Sequence, residues 1–113
     1  MTDLKTLLKK LKTFRDRRDW EQFHTPKNLA ESLVIEASEV LELFQWKNEQ
    51  EAHDYLRKHK EELGFELADV LNYILLLSDL AGINLVEALN KKIRVNKKKY
   101  PVTKSKGSAK KIH

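Results

Sequence analysis

The sequence predicts an all-α fold, a bundle of four main helices, and three observations predict it. Leu, Glu, Lys and Ala dominate the 113 residues, only three glycines and two prolines interrupt them, and nowhere do apolar and polar residues alternate with the period of a strand. The length suits one domain with a single core.

The first helix is expected from Thr2 or Asp3 to near Arg18, with Leu4, Leu7, Leu8, Leu11 and Phe14 as its stripe. Thr25-Pro26 reads as an N-cap followed by proline at the first helical position, so a second helix should run from there to about Trp46. The stretch from Asn48 to about Lys60 is highly polar and predicts either a short helix around Ala52 to Arg57 or a partly ordered connection. A third helix should span about Lys60 to Ala81 and stop at Gly82, because glycine tolerates positive φ. Asn84 and Glu87 have the spacing of an N-cap and its third position, and open a fourth helix that ends before Tyr100-Pro101. Residues 1–101 then form the domain, and residues 102–113 a disordered basic tail with little to bury.

Charge and composition exclude several classes. The net charge is +5, but Lys104, Lys106, Lys110 and Lys111 lie in the acid-free last twelve residues; without them 18 of the 22 basic residues face 17 acidic ones. The folded part is therefore nearly neutral, which disfavours nucleic acid as its partner. The absence of cysteine excludes a disulfide framework and thiolate metal ligands. No apolar run approaches the roughly 20 residues that span a bilayer, and Met1-Thr2-Asp3-Leu4-Lys5 leads into an amphipathic segment instead of a signal-peptide core. The expectation is a cytoplasmic protein with no membrane partner.

The second and third helices each carry an acid where an apolar residue belongs. With Leu29 at zero on a helical wheel, Leu33 falls at about 40°, Val40 at about 20° and Glu36 at about −20°, inside the apolar arc, while Glu39 lies on its margin at about −80°. On the third helix Glu62, Glu66, Asp69, Tyr73, Leu76 and Leu80 share a sector about 80° wide. Carboxylates on inward faces are costly unless something compensates their charge. Two acid pairs at i and i+3, meeting across a bundle, can form a four-carboxylate pocket, and a divalent cation relieves their mutual repulsion. All-oxygen ligands favour Mg²⁺ or Mn²⁺, and Mg²⁺ commonly engages substrate phosphates. The ordinary alternative is pairing of these acids with lysines. A di-iron bundle is disfavoured, since neither pair is followed by a suitably spaced histidine.

Several of these segments together resemble the MazG-like nucleotide pyrophosphohydrolases, with the closest likeness to their dCTP pyrophosphatase branch. They are Glu36-x-x-Glu39, Glu66-x-x-Asp69, Phe44-Gln45-Trp46, Asn96-Lys97-Lys98-Lys99-Tyr100-Pro101, and the segment from Arg18-Asp19-Trp20-Glu21-Gln22-Phe23-His24 to Leu29. The likeness covers about Phe14 to Pro101. It implies an all-α fold and hydrolysis of a nucleoside triphosphate to monophosphate and pyrophosphate. It also implies dependence on Mg²⁺, with Mn²⁺ as a possible substitute, and a homotetramer, with a dimer as second choice. By the same resemblance Glu36, Glu39, Glu66 and Asp69 hold the metal and act in catalysis, Trp20, Trp46 and Tyr73 surround the base, and Lys27, Asn28, Asn96 and Lys99 contact phosphate or sugar. His24 is a further substrate contact, with a surface or capping role as its alternative. The polar insert from Asn48 to Lys60 matches no motif, which leaves dCTP, a modified cytosine triphosphate, dUTP or wider dNTP activity open.

Two other readings compete. One is a helical module whose Lys91, Lys92, Arg94, Lys97, Lys98 and Lys99 bind nucleic acid; it leaves the inward acids unexplained. The other, a homologue that binds nucleotide without turnover, is disfavoured because all four acids are present. The nearly all-apolar third helix also predicts an oligomer, since so small a monomer cannot cover it.

Overall fold

The structure, a computed structural model, describes residues 3–110. The chain divides into two compact units, Met1–Ala81 and Gly82–His113.

In the first unit α1 spans Leu4–Arg17, and its N-cap Asp3 accepts a hydrogen bond from the Thr6 amide at 2.8 Å. Asp19 then takes φ 54°, a left-handed conformation that aspartate tolerates better than most residues, and turns the chain into a 3₁₀ turn at Glu21–Phe23. The second helix, α2, spans Pro26–Glu42 behind the Thr25 cap. It ends earlier than the expected Trp46: the amides of Leu43, Phe44 and Lys47 bond three residues back, so residues 43–46 tighten into turns.

The polar insert forms a full helix, α3 at Glu49–Lys58, not the short piece at Ala52 to Arg57. Asn48 and Glu51 close a reciprocal capping box, at 2.9 and 3.0 Å, which nucleates the helix despite its polarity. The third expected helix appears as α4, Lys60–Leu80, ended by Gly82 at φ 69°. It is the central element, packing against α2 most extensively and also against α1 and α3. The core where these helices meet is small, with Leu29, Tyr55, Leu75 and Leu76 buried. Among the described residues no single helix is long and apolar enough to cross a membrane.

In the second unit α5 spans Leu85–Lys99, and Asn84 caps it by accepting from the Glu87 amide at 3.1 Å. Lys97, Lys98 and Lys99 crowd its last turn, where cations complement the helix dipole. The tail expected to be disordered from residue 102 contains one helical turn, α6 at Val102–Ser105. Pro101, at φ −63°, presets this turn, and its carbonyl accepts from the Lys104 and Ser105 amides. Residues 111–113 of that tail lie outside the described residues.

Candidate carboxylate site

The α2–α4 interface brings the inward acids together. One carboxylate oxygen from each of Glu36, Glu39 and Glu66 lies within 4.8 Å of the others, and all three side chains are half-buried. Asp69 stands at the edge of this triplet and not within it: its side chain is one methylene shorter and its residue is exposed. Its charge still acts on both Glu36 and Glu66.

The electrostatics are those of an unneutralised cluster. Glu36 has its pKa pushed up from 4.5 to about 7, by burial first, then by the adjacent Glu39 carboxyl, then by Asp69 and Glu66. Glu66 is raised by burial, then by Glu39, Asp69 and Glu62. Oε2 of Glu36 and Oε2 of Glu66 are buried without a hydrogen-bond partner. Among the described residues no lysine, arginine or histidine forms an ion pair with Glu36, Glu39, Glu66 or Asp69, so the lysine-pairing alternative does not account for them. Clustered carboxylate oxygens, two of them buried and unpartnered, fit a hard divalent cation by donor type.

The other expected residues are distributed along the scaffold. Tyr73 is half-buried on α4, one turn beyond Asp69. Trp46 is 87% exposed on the turn after α2, leaving its indole free to stack on a ligand. Trp20 is 45% exposed and packs edge-on against Phe14, with ring centroids 5.8 Å apart. Lys27 is exposed and forms only a surface pair with Glu31 at 3.9 Å. Asn28 spends its side-chain amide on the Phe23 carbonyl at 3.0 Å, which ties the 3₁₀ turn to α2. Asn96 is half-buried and Lys99 exposed, both on α5 in the second unit.

His24 belongs to a different place. With Lys12, Arg15, Glu21, Leu29, Leu76 and Asp79 it lines a cavity of about 220 Å³. Asp79 is ten residues beyond Asp69, about 15 Å further along α4 at the helical rise. Burial and then the Arg15 charge hold the His24 pKa below its usual value. The arrangement separates His24 from the carboxylates.

One buried residue escaped the sequence reading. Tyr55, on α3, is 8% exposed, and its ring is held edge-on to Phe44 at 5.4 Å and stacked on His59 at 4.9 Å. The signal was present in the Asn48-x-x-Glu51 capping box, which fixes α3, the helix that carries Tyr55 and packs against α4.

The sequence profile of the MazG-like family matches residues 32–113, which includes both acid pairs. The chain belongs to the MazG-like family. This MazG-like chain is 43% identical over 98 residues to dCTP pyrophosphatase 1 of Mus musculus and 38% identical over 100 residues to that of Homo sapiens. The matches cover 85% and 87% of the chain, which spans 58% and 59% of those relatives' length. A solved pyrophosphatase structure from Archaeoglobus fulgidus superimposes with a TM-score of 0.83 at 46% identity, covering 89% of this chain and 94% of that one.

Proposed function

We propose that this protein is a Mg²⁺-dependent nucleoside triphosphate pyrophosphohydrolase that converts dCTP or a modified pyrimidine deoxynucleotide to its monophosphate and pyrophosphate. The observation that carries the reading is the triplet Glu36, Glu39 and Glu66 with Asp69 beside it, oxygens converging and none paired with a base. The names and 38–43% identity of the dCTP pyrophosphatases support the substrate class.

In this reading Glu36, Glu39, Glu66 and Asp69 hold Mg²⁺, for which Mn²⁺ can substitute. A bound divalent cation supplies charge neutralisation on the phosphates and a water of lowered pKa. By holding such a cation, the carboxylates would place the triphosphate against α2 and α4, and a carboxyl oxygen free of metal would accept the proton of the attacking water. Water attacks the α-phosphorus, the α–β anhydride bond breaks, and its electron pair leaves with pyrophosphate. Trp46, with Trp20 and Tyr73, stacks on or borders the base, and Lys27, Asn28, Asn96 and Lys99 contact phosphate or sugar.

The working form is a homo-oligomer, a tetramer before a dimer, acting in the cytoplasm on the nucleotide pool. Val34 (67% exposed), Ile35 and Leu41 on α2, and Phe65 and Leu67 on α4, are exposed in the single chain, more apolar surface than so small a core accounts for.

The test is pyrophosphate release from a panel of canonical and 5-modified dNTPs, with Mg²⁺ or with EDTA, comparing wild type with Glu39→Gln and Asp69→Asn. Metal-dependent turnover of a pyrimidine dNTP that collapses in both variants is expected. No turnover from folded wild type, together with salt-dependent DNA or RNA binding, would favour the basic α5 as a nucleic-acid surface instead.

A further inference from the structure

Where the chain leaves α1, three side chains stack on one another outside the core. Arg18 lays its guanidinium 3.6 Å above the Phe14 ring, and that ring meets the Trp20 indole edge-on, with centroids 5.8 Å apart. The same guanidinium lies 5.9 Å from the Trp20 ring, within reach of a cation–π contact. Its Nη1 donates to the Phe14 carbonyl at 2.9 Å, so the head group is tethered as well as stacked. Among the described residues Arg18 forms no ion pair with an acid.

The backbone that carries the indole is fixed too. Asp19 holds φ 54°, and Gln22 Nε2 donates to the Asp19 carbonyl at 2.9 Å and to its Oδ2 at 3.2 Å, while the Trp20 amide donates to the Arg15 carbonyl at 3.1 Å. Phe14 and Trp20 nevertheless remain about half exposed, so filling a core gives no account of the stack. Holding an indole at a set angle, with part of its surface open to a ligand, does.

We propose that Arg18 is a positioning residue for base recognition, clamping Phe14 so that the Trp20 indole meets the nucleobase in one orientation. This rests on the reading of Trp20 as a base contact. A ring ordered before the ligand arrives loses less freedom on binding. The planar guanidinium suits the task because it stacks flat on an aromatic face, where a lysine ammonium offers a point charge.

The experiment uses the full chain carrying Trp46→Phe, which leaves Trp20 as its only tryptophan. Quenching of that fluorescence by α,β-imido-dCTP with Mg²⁺ gives Kd, the anisotropy of the ligand-free chain reports the mobility of the indole, and thermal melting is the structural control. Arg18→Gln and Arg18→Lys in this parent should melt with it, yet both should lower the anisotropy and raise Kd about 2–5-fold. A Kd or an anisotropy equal to the parent's in Arg18→Gln would overturn the inference. So would full rescue by Arg18→Lys, which would assign the effect to charge alone. A parent that hydrolyses dCTP while its Trp20 signal ignores nucleotide would remove Trp20 from the base site, and this inference with it, but leave the hydrolase reading standing. Neither turnover nor nucleotide binding by the wild type would overturn both.

Discussion

Replacing Glu36 by glutamine should change the sign of its effect on stability according to whether a divalent cation is present. In the metal-free fold the Glu36 pKa is raised from 4.5 to about 7, so between those values the folded state binds more protons than the unfolded chain. The stability this group contributes is fully present below pH 4.5 and lost as pH rises through about 7. At about 1.4 kcal/mol per pH unit the full shift sets a ceiling of about 3 kcal/mol, and solvent screening in a half-open site reduces it to about 1–2 kcal/mol. Glutamine carries no charge to repel Glu39, Asp69 and Glu66. At about pH 8 in EDTA, Glu36→Gln should therefore be about 1–2 kcal/mol more stable than wild type, roughly 4–8 °C in Tm, with the gap closing as pH falls. Mg²⁺ at about a hundred times its Kd adds about 2.7 kcal/mol to wild type, and less to a variant that has lost a ligand, so the order inverts. Melting followed by circular dichroism, with EDTA and with Mg²⁺, reads both arms. A Glu36→Gln variant that is less stable than wild type in EDTA at about pH 8 would refute the reasoning, because it would mean that Glu36 is a stabilising acid in the metal-free fold.

Trp46→Ala should leave the melting temperature almost unchanged, since the side chain is 87% exposed, while raising KM for a pyrimidine dNTP; stacking is worth about 1–3 kcal/mol per base, roughly 5–150-fold. An unchanged KM would remove Trp46 from the base site. Asn48→Ala breaks the capping box of α3 and should cost about 1 kcal/mol in denaturant unfolding, a loss that a helix held by tertiary packing alone would not show. Ile35→Asp places a charge on the exposed apolar face of α2 and should dissociate the oligomer in light scattering; a wild type that is already a 13.3 kDa monomer at micromolar concentration would contradict the oligomer.

The helices with strong local signals were legible in the sequence. Asp3, Thr25 and Asn84 cap where their side chains suggest, and Gly82 ends α4 because positive φ is needed there. Glu36 was legible as an acid in an apolar arc, and the fold places its carboxyl against Glu39 and Glu66. The end of α2 was not, because Leu43 and Phe44 continue the apolar pattern while the backbone tightens around them. Nor was α3, whose polar composition masked the reciprocal Asn48–Glu51 cap. Asp69 fits the spacing of a fourth ligand, but a wheel assigns direction and not reach, and its shorter side chain stops at the margin. His24 lies within the family-like segment in sequence yet lines another cavity in space.

The most direct test of the central claim, that the Glu36, Glu39 and Glu66 cluster supports cleavage between the α and β phosphates, is product analysis of dCTP turnover in ¹⁸O-labelled water. The account predicts dCMP and pyrophosphate in equal amounts, with the label on dCMP, and no reaction in EDTA or with Glu66→Gln. Release of dCDP and orthophosphate, or turnover that survives both EDTA and Glu66→Gln, would contradict it.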